Sequence, residues 1–532
     1  MTITKPALAL LFATAAIAGT SPFPALAQNV APPASATNLP ITSERIDTAA
    51  KQAMATFDVP GMAIAIVKDG KIVFAKGYGV REKGKTAPVT PDTIFQIGSN
   101  TKAFTAAALA ILVDEGKLTW DDKVIDHLPD FRMYDPYVTR EFTIRDLLTH
   151  RSGLGAGAGD LMFVPATDMS RAEVIRGLRH LRPVSGFRSK YDYDNLLYIV
   201  AGEVVASASG QSWEDFVENR IMKPLGMTRC SANLARVAGR VNVASPHVVM
   251  EGKATAVRAM NMDVVGPAGT INCSLTDMTK WLTVQLNRGA LSDSRRLFSS
   301  ERSSEMWAMN TVQPASPALD SLLRTHFTGY ALGWEVSDNF GFMRVAHTGG
   351  VIGTVTSVAM IPELKLGVLV FTNQESGAAM QAVNNQILDA YVRAPSRDWV
   401  EIAVAYTAGK ASDAAQVEAD VSAKLAAATA PALPLDAYVG RFRDPWRGEA
   451  TIAKAGDRLV LKISRTTSLE ATLQPYSGNI FVARWVDRSI NADAFVRFEQ
   501  GFDGKIRAIT LQAISPATDF SFDFHDLAFE RI

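Results

Sequence analysis

Ile94-Phe95-Gln96-Ile97-Gly98-Ser99-Asn100-Thr101-Lys102 joins a short apolar strand-like run, Ile94 to Gly98, to a long apolar helix pattern from Ala103 to Asp114. A serine and a lysine three apart at the start of a helix share one face. A deprotonated amine there can take the proton of the hydroxyl, and the helix N-terminus offers N–H donors where negative charge would develop. The pair predicts a nucleophile, Ser99, and a base, Lys102, on one rigid element. Alone, the same tetrapeptide also reads as an N-cap serine followed by a solvated lysine.

Upstream, Ser43 is expected to cap a helix with Ile46, Ala49, Ala50, Ala53 and Phe57 on its apolar side. Met62 to Val67 and Ile72 to Tyr78 flank Asp69-Gly70, a hairpin signal. Downstream, the middle third reads as helical and loop-like: Phe142 to Leu148, Tyr198 to Ala206, Trp213 to Met222, and Thr276 to Leu286 with Thr276 as its cap. Strand signals return at Tyr330 to Val336, Arg344 to His347, Thr354 to Ile361 and Gly367 to Thr372, and a helix from Gln381 to Val392 follows. Strands first and last with helices between predict a mixed α/β (α+β) fold, an antiparallel sheet flanked by helices with an all-helical region inserted.

The remaining organisation follows from composition. Residues 1–27 carry Lys5, an apolar run from Ala7 to Ile17 and Ala25-Leu26-Ala27, the pattern of a cleavable secretory signal. Residues 28–40 are rich in Ala, Pro, Ser and Asn and read as a disordered leader. The hydrolase-like unit is assigned to 41–395, an Ala-rich linker with some helix to 396–432, and an all-β, barrel-like domain to 433–532, where short strands alternate with turns such as Gly456-Asp457 and Asp503-Gly504. The expected location is periplasmic or secreted. Lys plus Arg and Asp plus Glu number 54 each, which removes the basic surplus expected of a nucleic-acid or anionic-membrane binder. No integral membrane segment is expected after signal cleavage. The two cysteines, Cys230 and Cys273, could pair in an oxidising compartment, but two small buried side chains is the favoured reading.

Three further motifs sit near apolar elements: Tyr193-Asp194-Asn195, Gly266-Pro267-Ala268-Gly269-Thr270 and His347-Thr348-Gly349-Gly350. Together with Phe95 to Lys102 and Leu147-Leu148-Thr149-His150-Arg151-Ser152-Gly153-Leu154, they make the chain resemble the serine β-lactamase and penicillin-binding-protein family over roughly 42–392. The likeness is greatest to its class-C-like branch of esterases, amidases and D-aminopeptidases. Leu435-Asp436-Ala437-Tyr438-Val439-Gly440-Arg441-Phe442 resembles the opening of the lipocalin-like appendage found behind many such hydrolases. The appendage is expected to contact the catalytic domain and to narrow its cleft.

The resemblance implies a β-lactamase-like fold and an acyl-enzyme. It implies Ser99 as nucleophile, Lys102 as its partner and Tyr193 as a second proton-transfer group, of lowered pKa if cations lie close by. Asn195 would hold Lys102 or the substrate amide, and the N–H groups of Ser99 and Gly350, beside Gly349, would form the oxyanion hole. Lys102 must be desolvated to act near neutral pH, and Ala103, Phe104 and Ala106 to Leu109 supply that setting. His150 is expected to be a structural hydrogen-bonder. At the position of a common Lys-Thr-Gly this chain has His347-Thr348-Gly349. A mostly neutral histidine there favours substrates whose carboxylate is not read at that point.

The function expected is a secreted serine hydrolase acting on amides or peptides, including peptides with D- or non-standard residues such as linearised cyclic peptides. The alternatives are a carboxylesterase with weak or no β-lactamase activity, and a non-catalytic penicillin-binding-like protein. No Gly-x-Ser-x-Gly, His-Glu-x-x-His or Cys-x-x-Cys occurs. The expectation is therefore no metal, no cofactor and no partner beyond a small-molecule or peptide substrate.

Overall fold

A computed structural model describes residues 40–427 and 430–532. The signal reading of 1–27 and, apart from residue 40, the leader reading of 28–40 lie outside the described residues. Ile41–Ile532 form one compact unit.

Its sheet has eight strands, all antiparallel, in the order Lys71–Gly79, Gly61–Lys68, Leu366–Thr372, Thr354–Ile361, Phe342–Val351, Glu335–Asn339, Thr328–Tyr330, Thr311–Gln313. Gly61–Lys68 and Leu366–Thr372 are buried almost throughout, as strands covered on both faces must be. Alternation divides them. Ile64, Ile66, Val368 and Val370 pack with the helices Ser43–Thr56 and Gly377–Val392, whereas Ala63, Ala65, Leu369 and Phe371 join the larger core containing Thr101–Asp114, Leu196–Ser209 and Leu275–Leu286. The Asp69-Gly70 turn has φ of 51° and 74°, the two left-handed residues that a tight hairpin needs.

Several local expectations are corrected. Thr42, not Ser43, caps the first helix, and Ser274, not Thr276, caps Leu275–Leu286. The run Tyr330 to Val336 is two strands broken at 331–334, where Gly333 (φ +76°) passes the Lys102 carbonyl so closely that a Cβ would lie 2.8 Å from it. His347-Thr348-Gly349-Gly350 does not end its strand but lies inside Phe342–Val351, because Gly353 turns the chain back into Thr354–Ile361. The middle third also holds the hairpin His247–Met250 with Lys253–Ala256. Cys230 and Cys273 are joined by a disulfide, contrary to the favoured reading. Ser231 pairs antiparallel with Asn272, which sets the two cysteines opposite each other.

The segment assigned to a linker contains one uninterrupted helix, Trp399–Ala426, capped by Asp398. Trp399 and Val400 pack in the core beside Gly377–Val392, and Val421 packs on Val482 and Ile514. Beyond it, eight strands from Gly440–Asp444 to Phe529–Arg531 close into a barrel. The barrel is seated on the hydrolase-like region. Arg465 pairs with Asp168 and, at 3.1 Å, with Glu173, while Trp446 lies against Gly177. Among the described residues no helix is long and apolar enough to cross a membrane, and no group of three or more His, Cys, Asp or Glu side chains could hold a metal ion.

Candidate active site

Ser99 lies in a single 3-10 turn, Gly98–Asn100, that leads directly into Thr101–Asp114. The turn is clamped against the strand Phe342–Val351, backbone to backbone. A Cβ on Gly98 (φ +54°) would lie 2.7 Å from the Gly350 nitrogen, and one on Gly349 would lie 1.9 Å from the Ile97 carbonyl. Asn100 Nδ2 donates to Thr356 Oγ1 at 2.8 Å, and that hydroxyl donates to the Ile97 carbonyl at 2.8 Å. Two glycines and a polar brace therefore bring Ser99 beside Gly350. Both residues line one cavity of about 690 Å³.

Lys102 is 0% exposed, which excludes the solvated-lysine reading of the tetrapeptide. Its Nζ lies 3.1 Å from Ser99 Oγ, 2.7 Å from Asn195 Oδ1 and 3.1 Å from the Ala268 carbonyl. The Tyr193 and Tyr198 rings stand 4.7 and 5.2 Å away. Burial pushes the Lys102 amine down to about 7, against the pull of Asp160 and Asp194. Two of its three partners are carbonyl oxygens, which only accept. A neutral amine has two N–H bonds, and giving both to Asn195 and Ala268 leaves its lone pair facing Ser99. That is the arrangement of a base waiting for the serine proton.

Tyr193 faces Ser99, and burial holds its hydroxyl well above the ordinary tyrosine range. The lowered pKa expected beside a cation is corrected: Tyr193 keeps its proton and can relay one without being the resting base. Asn195 precedes Leu196–Ser209 but makes no side-chain cap, since both ends of its amide are used, one by Lys102 and the other by Asp160 at 2.8 Å. Asp194 takes the capping role, accepting from the Leu197 N–H at 3.4 Å.

His347 is 2% exposed. Its Nδ1 lies 2.6 Å from the Thr348 carbonyl, so that nitrogen carries the hydrogen, and Nε2 accepts from the Tyr330 hydroxyl at 2.8 Å. Burial and the nearby Lys102 push it down to about 3. It is a neutral ring with both nitrogens held by protein. His150 Nδ1 accepts from the Asp194 N–H at 3.1 Å, and its ring packs 4.2 Å from that of Tyr193.

Sequence reasoning missed several contributors. The Ala268 carbonyl is hidden because any residue supplies a carbonyl, although the Gly266 to Thr270 motif stands out. Asp160 follows Gly155-Ala156-Gly157-Ala158-Gly159, a run of alternating glycines that could have marked a tight functional turn. Residues 517–522 and 489–491 bring barrel side chains into the cavity, with the Phe520 ring 5.8 Å from that of Tyr193. The expected narrowing of the cleft thus has named residues.

The family described as Beta-lactamase matches residues 46–392, and a domain of unknown function, DUF3471, matches 424–531. Over 478 residues the chain is 30% identical to unguisins hydrolase ungD' of Aspergillus campestris, covering 85% of this chain and 86% of that protein. Over 319 residues it is 30% identical to penicillin-binding protein 4 of Amycolatopsis lactamdurans, covering 59% of this chain and 81% of that one. The octameric penicillin-binding protein homologue from Pyrococcus abyssi shares the fold with a TM-score of 0.59 at 22% identity, over 92% of this chain and 100% of that one.

Proposed function

This chain belongs to the beta-lactamase family, and we propose that within it the protein is an exported serine hydrolase that cleaves amide or peptide bonds through an acyl-enzyme. The observation that carries the reading is the Lys102 amine, held by two carbonyl acceptors with its remaining direction toward Ser99 Oγ at 3.1 Å. Ser99 Oγ attacks the substrate carbonyl carbon as its proton passes to Lys102 Nζ. The N–H groups of Ser99 and Gly350 receive the oxyanion. The proton reaches the leaving amine by way of the Tyr193 hydroxyl, the C–N bond breaks, and water then frees the acyl group from Ser99.

Peptides, including those with D- or non-standard residues, are the substrate class this reading favours. The relative from Aspergillus campestris is named for hydrolysing unguisins, and its match takes in 85% of this chain. The cavity lining includes Glu335, Glu375 and Asp519 and no lysine or arginine, and His347 there is neutral. Such a site suits neutral or cationic substrates better than anionic ones. The disulfide supports export to an oxidising compartment, the periplasm or beyond.

The test is a fluorophosphonate probe on the wild type and on Ser99→Ala, followed by D- and L-aminoacyl p-nitroanilides, p-nitrophenyl esters and nitrocefin. The reading requires Ser99-dependent labelling and turnover of at least one anilide. Turnover of esters alone makes the protein a carboxylesterase, and no labelling at all makes it a binding protein.

A further inference from the structure

The Asn195 amide has a donating and an accepting end, and its orientation decides which one Lys102 meets. Asp160 Oδ2 accepts from Asn195 Nδ2, so the carbonyl end is turned to Lys102 Nζ. A reversed amide would set its NH₂ against the amine and oxygen against oxygen at Asp160. Asp160 is itself fully buried and begins the short turn Asp160–Met162, behind Gly157 and Gly159 at φ of +73° and +77°.

What holds that turn comes from the barrel. Asp523, also fully buried, accepts from the Gly159 N–H at 2.6 Å and from the Leu161 N–H at 3.3 Å, one on each side of Asp160. The Phe520 carbonyl lies so close to Gly157 that a Cβ there would stand 2.5 Å from it. Ser521 stands on the barrel side of the Asp160 carboxyl. A chain of contacts thus runs from Asp523 to the turn, to Asp160, to Asn195 and to Lys102.

We propose that Asp160 is a positioning residue for Lys102, orienting the Asn195 amide, and that the C-terminal barrel fixes Asp160 through Asp523. This rests on the reading of Lys102 as the base. The barrel is then part of the machinery that aims the amine, besides forming a wall of the cavity. The groups facing Lys102 are Asp160, Asp194, His150, His347 and the rings of Tyr193 and Tyr198. Those facing Asp160 are Asp194, Lys102, Asn195, Ser521 and Asp523, and Asp523 also faces Asp526 and Arg447. Where Asp160 is ionised it favours the ammonium form of Lys102, so removing it lowers the pH at which the amine becomes free, while burial holds the Asp160 carboxyl itself well above the usual carboxylate range.

The experiment measures fluorophosphonate acylation of the full chain against pH for the wild type, Asp160→Asn, Asp523→Asn, Asp523→Ala and the control Arg465→Ala. Each protein is checked by circular dichroism and thermal melting. The wild-type rate should rise through about pH 7. In Asp160→Asn the rise should move to lower pH, and the plateau should fall about tenfold as the amide loses its fixed orientation. Asp523→Asn should lower the plateau in the same sense, and Asp523→Ala more so. Arg465→Ala, which loosens the barrel elsewhere, should move neither.

A folded Asp160→Asn with the wild-type limb and plateau overturns the proposal, as do Asp523 variants that change only the melting temperature. If Asp160→Asn fails to fold, the Asp523 variants decide, since Asp160 stays in place in both. A wild type that does not label, or labels without a rise through neutral pH, refutes the base reading instead.

Discussion

Replacing Lys102 with methionine keeps most of the side-chain volume and removes the amine's own titration beside Ser99. An ordinary lysine near 10.5 would be neutral in roughly one molecule in 3,000 at pH 7, whereas an amine brought down to about 7 is neutral in about half. The same burial has a thermodynamic signature. Between about pH 7 and 10.5 the unfolded chain keeps a proton on Lys102 that the folded chain has released, so the unfolding free energy rises with pH. The slope approaches about 1.4 kcal/mol per pH unit in that window. The cost of burying the charge is complete below the folded value and disappears as pH climbs to the unfolded one.

Lys102→Met lacks this term. It also leaves the Asn195 and Ala268 carbonyls without a donor, a pH-independent penalty of about 1–3 kcal/mol each that shifts the offset and not the slope. Denaturant melts of both proteins at pH 7, 8, 9 and 10 should show the wild type gaining on the variant at each step, while the variant's acylation by fluorophosphonate falls about a thousandfold. A stability difference flat in pH, or acylation within about tenfold of wild type, refutes the reasoning that Lys102 is a desolvated base.

Gly349→Ala forces a methyl into the Ile97 carbonyl and should cost about 1–3 kcal/mol in a denaturant melt along with most of the activity. Gly350→Ala meets open space and should melt within about 0.5 kcal/mol of wild type, so any loss there reports on the oxyanion pocket. The double variant Cys230→Ser with Cys273→Ser opens a loop of 43 residues and should lower the unfolding free energy by up to about 4 kcal/mol relative to the oxidised wild type, with the reduced wild type melting close to the variant. In a peptide p-nitroanilide series differing only in charge, kcat/KM should fall from cationic to neutral to anionic members, and an anionic preference would contradict the carboxyl-lined cavity.

The parts of the fold legible in the sequence are those where one short stretch dictates its own shape. Asp69-Gly70 between apolar runs specifies a hairpin, and the spacing of Ser99 and Lys102 specifies a shared helix face. What escapes is set by distant chain. The one local mark of a break in Tyr330 to Val336 is a single glycine, too little to place it. The break exists because Gly333 must pass the Lys102 carbonyl. Three barrel strands carry too little local signal to be foreseen. Gly440–Asp444 buries only Phe442 and Asp444, Glu470–Ser477 carries Pro475 at a register shift, and Phe529–Arg531 has three residues. In the site, side chains with distinctive chemistry are readable, whereas the Ala268 carbonyl and the pairing of Cys230 with Cys273 depend on which segments meet.

The cavity wall at 517–522 has a consequence for the order in which the protein becomes competent. Ser99 and Lys102 leave the ribosome roughly 420 residues before Phe520 and Asp523 do. For all that interval the nascent chain possesses a hydroxyl and an amine but neither the far side of the cleft nor the carboxyl that steadies the turn at Asp160. The cleft is therefore complete only once the barrel has been made and docked.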